Sequence, residues 1–382
     1  MTGVFRSGLA TDEHWGLAAR DCLRQIGPIP PDANLGFVYA TADFAESLSS
    51  IVTYLREVTG IDCWLGGIGY GVFGAGAAVR GGPGLAVMTG CAAPGGFRPF
   101  DRFDPSSPDR FLSEHGSWLS GRSGVTALVH GNPRTPRIAA GIRQLSGCCQ
   151  GFLVGGLTAD TGGAAQICGR VGDAELSGVL LDGAIPVATG LTQACSPIGS
   201  PHRVTGAIDN VIMELDGRPA LQALKEDCGD IIARDLKRAA GYIHVAQPVA
   251  GSDRREDFVV HGLVGIDPRR GWLAITGTLG SGDRLQFVRH HSETALSDLR
   301  RMLERLASRL AGRTIRGGLY ISSDERSTRL FRGAPPPSGG ADCETGLIHD
   351  TLGPFPLIGF STNGEICHDR LHSFAGILVL FL

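Results

Sequence analysis

The sequence predicts a mixed α+β protein: an α/β chain of two pseudo-repeated glycine-rich domains, each with sheets packed against helices. Three observations carry this. Short β-like apolar runs alternate with amphipathic helical stretches. Glycine supplies 57 of the 382 residues, about twice its average usage, and sits between apolar runs rather than in low-complexity tracts. An apolar run ending in glycine, followed a short way on by a glycine-led strand, recurs along the chain. Its copies begin at Leu65-Gly66-Gly67, Val154-Gly155-Gly156, Gly262–Ile266 and Ile358-Gly359-Phe360. They read as two pseudo-equivalent halves of two hairpin-like units each.

The helices follow from period and caps. From Asp43 to Val58, Phe44, Leu48, Ile51, Leu55 and Val58 form one apolar stripe. Asp43 and Glu46 resemble a capping box, and Gly60 ends the helix. Ser292–Leu310 carries the stripe Leu296, Leu299, Leu303, Leu306 and Leu310. Pro219–Ala240 carries Leu221, Leu224, Cys228, Ile231 and Leu236. Glu13–Ile26, Pro108–Leu119 and Pro136–Leu145 are shorter helices. The β-like runs include Leu35–Ala40, Ile61–Leu65, Leu85–Thr89, Val125–His130, Phe152–Leu157, Leu176–Leu181, Gly318–Ile321 and Leu357–Phe360. The final stretch, Ala375–Leu382, is apolar throughout and is expected to be a buried strand. Cys91–Ser107, Val249–Asp257 and Gly333–Gly340 read as surface loops. The boundary between residues 1–205 and 206–382 is expected near His202–Asn210, after the turn-rich segment Gly190–Gly206 with its two prolines. After it, Val211–Glu226 reads as a strand, a tight Asp216-Gly217 turn and a helix.

Composition excludes several classes. Hydrophobic residues are 42%, charged residues 19% and net charge is −3. This argues against disorder, a nucleic-acid surface or an anionic-membrane surface. No apolar run is long enough to span a membrane, and the first residues lack a signal-peptide core, so a cytoplasmic protein is expected. The ten cysteines form no CxxC pair, so zinc ribbons and a disulfide framework are poor readings.

Gly69–Gly74 matches G-x-G-x-x-G, but Gly76, Gly81, Gly82 and Pro83 leave no room for the helix a dinucleotide fold requires. Gly147-Cys148-Cys149-Gln150-Gly151 has elbow spacing, but a helix precedes it and a strand follows, the reverse of a nucleophile elbow. A helix cap at Gly147 or Gly151 fits that order better. His368 and His372 have i, i+4 spacing, which serves a metal only on a helix. Two polar clusters in glycine-rich backbone stand out: Gln193–Gly199, and Gly359–Ile366 followed by His372. From them Cys195, Gly199, Asn363, Gly364, Glu365 and His372 are the candidate ligand-binding residues. The glycines allow close backbone approach, and an acid with an amide side chain suits a small zwitterion such as an amino acid. A turn that satisfies its own backbone is the competing reading.

These clusters resemble the FIST family. The first domain carries Leu65–Gly76, Gly82–Val87, Gly155-Gly156-Leu157 and the Gln193-x-Cys195-x-Pro197-Ile198-Gly199 signature. The second opens with Leu215-Asp216-Gly217-x-Pro219-Ala220 and continues through Val264–Asp267, Gly359-Phe360, Asn363–Ile366 and Leu371-His372. Where many members have a Cys-Asn-Gly-Arg-Gly-like turn, this chain reads Ser322-Ser323-Asp324-Glu325-Arg326. The resemblance implies a bacterial-type sensory protein, not an enzyme, that binds a small amino-acid-like ligand. With no kinase or receiver segment in view, it would act through a separate partner such as a histidine kinase. Some members are haem-binding nitric-oxide sensors. For that alternative, haem would be held non-covalently with His372 as axial ligand. A third alternative is a thiol-dependent enzyme using Cys195 or Cys149, which requires a lowered thiol pKa.

Overall fold

The structure, a computed structural model, describes residues 5–193, 195–229, 242–248, 258–326 and 342–382. The chain divides into two compact units, Met1–Thr192 with Asp298–Leu382, and Gln193–Ser297.

In the first unit one motif is used three times. Repeat one comprises β1 (Arg6–Ala10), α1 (Trp15–Ile26), β2 (Leu35–Thr41), α2 (Leu48–Thr59), β3 (Cys63–Gly69), the hairpin β4 (Gly71–Gly74) and β5 (Ala77–Arg80), and β6 (Leu85–Gly90). Repeat two has the same order: β7 (Phe97–Phe103), α3 (Pro108–Leu119), β8 (Thr126–Gly131), α4 (Ile138–Cys149), β9 (Phe152–Leu157), β10 (Gln166–Cys168), β11 (Arg170–Gly172) and β12 (Leu176–Leu181). Repeat three starts with β13 (Val187–Thr192), and the second unit interrupts it there.

That unit contains β14 (Cys195–Ile208), β15 (Val211–Leu215), β16 (Arg218–Pro219), α5 (Ala220–Cys228), β17 (Ile243–Pro248), β18 (Phe258–Asp267), β19 (Trp272–Ile275) and β20 (Arg284–His290). Its strands run β14-β20-β17-β18-β19-β15-β16, and β14 also pairs with β15. This pairing closes a six-stranded barrel and removes its free edges. Val204, Ile212, Leu263, Leu273, Leu285 and Phe287 fill its core. Repeat three then resumes with α6 (Ser292–Leu310), β21 (Gly317–Ser323), α7 (Cys343–Leu352), β22 (Leu357–Thr362), β23 (Glu365–Cys367), β24 (Arg370–His372) and β25 (Gly376–Phe381).

The three sheets of the first unit run β1-β6-β2-β3-β10-β11, β7-β12-β8-β9-β23-β24 and β13-β25-β21-β22-β4-β5. Each takes four strands from its own repeat and its last two from a neighbour's hairpin, so the hairpins are exchanged in a closed ring. The inner faces share one core that includes Phe37, Tyr39, Leu128, Val179, Ile321, Phe360 and Phe381. Helices cover outer faces: α1 and α2 bury Ala18, Cys22, Leu48, Ile51 and Leu55 with Trp64, and α3 and α4 bury Phe111, Ile142 and Leu145 with Phe100.

The exchange requires a close approach inside each parallel pair. Gly66, Gly155 and Gly359 lie opposite Val38, Val129 and Tyr320 in β2–β3, β8–β9 and β21–β22. A Cβ on these glycines would fall 1.8, 1.8 and 1.7 Å from the facing carbonyl oxygen. Gly66 and Gly155 also have φ of 147° and 156°, which side-chain-bearing residues rarely adopt.

The mixed α+β class therefore stands, and the repeat count is three. Three copies of the glycine pattern mark equivalent positions in one unit. The fourth, from Gly262, is the β18–β19 hairpin of the barrel. The division expected at residues 205/206 falls inside β14. The segment before it is strand rather than turns, with a register shift between Ile198 and His202 that absorbs the glycine and proline. Likewise Phe97–Phe103 inside the expected Cys91–Ser107 loop is β7, paired to β12. The helix expected from Asp43 begins at Leu48 after a short 3-10 turn, Ala42–Phe44, and Val58 faces outward. At Cys148-Cys149, the helix cap is Gln150 in left-handed conformation, not Gly147 or Gly151. The C-terminal strand is buried between β13 and β21, as its composition requires. The helix expected beyond Gly229 and the loops at 249–257 and 333–340 lie outside the described residues.

Replacing Gly155 by alanine should cost about 4 kcal/mol or more, because the methyl group would collide with backbone that cannot yield. Gly147→Ala, in the open interior of α4, should be neutral or stabilise by roughly 0.5–1 kcal/mol. Urea unfolding followed by circular dichroism separates the two.

Candidate functional site

In α/β sheets, ligands sit beyond the carboxyl ends of parallel strands. Here the residues that follow the three parallel pairs converge. The Tyr70 hydroxyl donates to Asp160 Oδ1 at 2.6 Å, and the Asn363 side chain reaches the same hydroxyl. The Tyr70 amide donates to the Ser361 carbonyl at 3.0 Å, and Thr362 Oγ1 donates to the Leu157 carbonyl at 2.6 Å. Burial, and then the Asp160 carboxylate, push the Tyr70 phenol up to about 12. It remains a neutral donor.

The third repeat adds buried charge at this end. Glu344 lies in the first turn of α7, where the helix dipole favours an acid. Its carboxylate accepts from Tyr320 Oη (2.7 Å), Ser322 Oγ (2.8 Å) and Arg326 Nε (2.9 Å). Arg326 and Glu344 are 0% and 1% exposed at the side chain. An ion pair this deep survives only because hydrogen bonds occupy its remaining acceptor sites. Arg326 also reaches the Phe374 carbonyl at 3.4 Å.

Beside it lies Glu365, fully buried. Its Oε2 accepts the Ala375 amide at 2.9 Å, and its Oε1 has no hydrogen-bond partner among the described residues. Burial raises this carboxyl well above its usual range, against the pull of the Ala375 amide and Arg326. His372, also buried, is its register partner across β23–β24. Asn363 is exposed at the rim, and Gly364 lies against Leu157 and Leu371 with no room for a Cβ.

The repeats supply an internal comparison. Glu365 pairs with Gly156, Gln166 with Gly67, and Val72 with Phe360, one residue beyond the close-approach glycine each time. Val72 is apolar. Gln166 is satisfied at both ends, donating to the Ala174 carbonyl at 2.7 Å and accepting from Ser177 Oγ at 2.5 Å. Of the three equivalent positions, only Glu365 is ionisable and half-satisfied.

Cys195 and Gly199 lie in the barrel unit, so the six expected residues divide between the units. Cys195 is half-buried on β14. The open side of Gly199 faces the Asp227 carboxylate, whose Cγ lies 2.0 Å from where a Cβ would be. Its glycine is explained by an internal contact. The same carboxylate accepts from buried His202 Nε2 at 2.8 Å, while His202 Nδ1 meets Asp216 Oδ2 at 2.6 Å. With both ring nitrogens occupied, this Asp–His–Asp chain ties the barrel together and leaves no nitrogen for a substrate. Burial disfavours charge on His202, but the two carboxylates outweigh it and hold its pKa above the usual range.

The FIST N domain matches residues 34–218 and the FIST C domain matches residues 220–368. The chain belongs to the FIST family. This family is associated with sensing in signal transduction. An uncharacterized protein of Mycobacterium tuberculosis (strain ATCC 25618 / H37Rv) is 37% identical over 221 residues, 54% of each chain. An uncharacterized protein of Mycobacterium bovis is 36% identical over 221 residues, 54% of this chain and 53% of its own. The match thus spans about half the length of these relatives. No helix among the described residues is long and apolar enough to cross a membrane.

Two alternatives meet the geometry here. A haem iron needs open space beyond its axial nitrogen. His372 is buried on its hairpin, 4% exposed. His368 sits in the hairpin turn with φ of 59°, so the i, i+4 pair is not on a helix. No cluster of three or more metal-ligating side chains occurs among the described residues. A thiol nucleophile needs a lowered pKa, whereas burial pushes Cys149 up to about 12.

Sequence alone does not single out Arg326 or Glu344. For Arg326 the signal is the polar run Ser322–Arg326 at the end of an apolar strand, legible only as a departure from the family turn.

Two outcomes are expected. Arg326→Met should destabilise the chain by about 3–5 kcal/mol, because it strands Glu344; chemical denaturation measures it. The His202 contribution is complete below its unfolded pKa of about 6.5 and is lost as pH rises through the higher folded value. The melting temperature of wild type relative to His202→Gln should therefore fall between pH 6 and 9.

Proposed function

We propose that this FIST chain is a sensor that binds a small amino-acid-like molecule at the carboxyl end of the third repeat and acts through a separate signalling partner. One observation carries the reading: the Glu365 carboxyl is fully buried with Oε1 unpartnered, while the equivalent Gln166 is fully bonded. Such a group costs free energy that a ligand can recover. A cationic amine brought to Glu365 restores the ionised form, and Asn363 at the rim offers an amide to the rest of the ligand. Arg326, already committed to Glu344, fixes the floor. Cys195, Gly199 and His372 remain residues to test rather than parts of this contact.

Enclosure of Glu365 means that entry must move whatever encloses it. Binding and conformational change are then linked, and a partner that prefers one arrangement reads the ligand as a population shift.

The test is a thermal-shift titration of purified protein with the proteinogenic amino acids. A ligand at 100 times its dissociation constant should add about 2.7 kcal/mol. Calorimetry in buffers of different ionisation enthalpy should show proton release, and affinity should rise with pH. Glu365→Gln should abolish both. It should also remove a pH dependence of the free protein: a raised carboxyl pKa stabilises below the unfolded value of about 4.3, and that stability is lost as pH rises. A ligand that binds Glu365→Gln as well as wild type, or no shift across the set, would defeat the proposal.

A further inference from the structure

Repeat two keeps a cavity at the corner that corresponds to Glu365 in repeat three, and what it can hold is independent of the Glu365 reading. The cavity measures about 220 Å³. Three stretches from the interior of the chain line it: β7, the β10–β11 hairpin, and the run from Asp173 into β12. Its floor is built from buried groups, Gln166, Ala174 and Ser177. The Gln166 amide donates to the Ala174 carbonyl at 2.7 Å and accepts from Ser177 Oγ at 2.5 Å, which fixes both side chains. Ser177 uses its only hydroxyl proton in that bond, so its oxygen can still accept. Gly172 is the register partner of Gln166 across the hairpin, and a Cβ there would meet nothing within 4 Å. The missing side chain keeps the space above the floor open.

Four charged groups line the cavity, Asp101, Arg102, Arg170 and Asp173, and their charges sum to zero. Arg170 donates to Asp101 Oδ2 at 2.8 Å. The Arg102 and Asp173 side chains have no hydrogen-bond or ion-pair partner among the described residues. Cys168 also lines the wall; burial pushes its thiol up to about 12, so it adds no charge near neutrality. No aromatic or long aliphatic side chain is among the lining residues, so nothing here receives the apolar body of a ligand. The space holds the equivalent of about seven water molecules at about 30 Å³ each, less than a drug-sized cleft.

We infer that this corner binds a small uncharged polyhydroxy compound of pentose size, whose hydroxyls accept from Arg102 and donate to Asp173 and Ser177 Oγ. A hydroxyl both donates and accepts, so an array of them matches mixed groups on every side. A net charge on the ligand would meet a lining with no counter-charge in excess. A zwitterion would match Arg102 and Asp173 at the rim but leave the Ser177 oxygen without a donor.

The probe is D-xylose, titrated calorimetrically into the full chain. Tetrahydropyran-2-methanol, a similar ring without the hydroxyl array, and β-alanine, a zwitterion, are the comparisons. D-xylose should bind at least about tenfold tighter than either, as expected when hydrogen bonds to charged groups are lost. The Arg102→Gln/Asp173→Asn double variant should weaken D-xylose binding by about tenfold or more on the same grounds. Gly172→Leu, which places a side chain over Gln166, should abolish it, and Glu365→Gln should bind D-xylose like wild type. Arg102, Gly172 and Asp173 are exposed, so these variants should remain folded, which circular dichroism verifies. Absence of D-xylose binding, equal binding of either comparison, or unchanged affinity in the double variant or in Gly172→Leu would each overturn the assignment. Loss of D-xylose binding in Glu365→Gln would place the probe at the other site and overturn it too.

Discussion

A carbonyl oxygen occupying the place of an absent methyl group is the contact on which the first unit depends. It occurs between Val38 and Gly66, Val129 and Gly155, and Tyr320 and Gly359. Each lets the second parallel strand lie close against the first, and the strand's other edge then accepts a hairpin from a different repeat. Three such exchanges link the sheets in a ring, so no repeat completes its sheet alone. The strand ends carrying Tyr70, Asp160 and Asn363 are brought together by the same exchange. The candidate site follows from backbone geometry before any charged group is considered.

Charge is then loaded unevenly onto an even frame. Equivalent positions hold Val72, Gln166 and Glu365, in order apolar, polar and fully bonded, and ionisable with an unmet oxygen. The same corner of repeat two keeps a cavity of about 220 Å³ lined by Gln166, Ser177 and Arg170. Burying Arg326 with Glu344 beside Glu365 costs free energy that a purely structural corner would avoid, as the first repeat does with Val72. Departures from local economy of this kind concentrate at functional positions. The barrel illustrates the opposite use of charge. His202 between Asp216 and Asp227 saturates every polar atom of the ring and closes off chemistry rather than offering it.

Much of this architecture is legible in local sequence pattern, and the rest is set by long-range pairing. Local period and caps located α3 and α6 almost to the residue, because an apolar stripe and its terminating glycine are local properties. The Gly66, Gly155 and Gly359 echoes were visible too. Their number is not legible there, because the barrel interrupts the third repeat after Thr192, separating β13 from β21 in sequence while they share a sheet. β14 reads as turns in the sequence because Gly199 and Pro201 are absorbed by a bulge, which depends on pairing with β20. Glu365 and Asn363 stood out as polar residues in glycine-rich backbone. Glu344 did not, since nothing in a helical first turn announces that its carboxylate will meet Tyr320 and Arg326.

The sequence by itself determined the α+β class, the FIST relationship, the buried final strand and the polar cluster around Glu365. All of these rest on short-range patterns or on the order of motifs. Only the tertiary structure decided that there are three repeats, that Gly199 makes room for Asp227, and that Glu365 is left with an unmet oxygen where Gln166 has none. Those facts are set by hairpins paired across repeats and by side chains contributed from distant elements, and a one-dimensional pattern carries no record of which strand edge a hairpin will join.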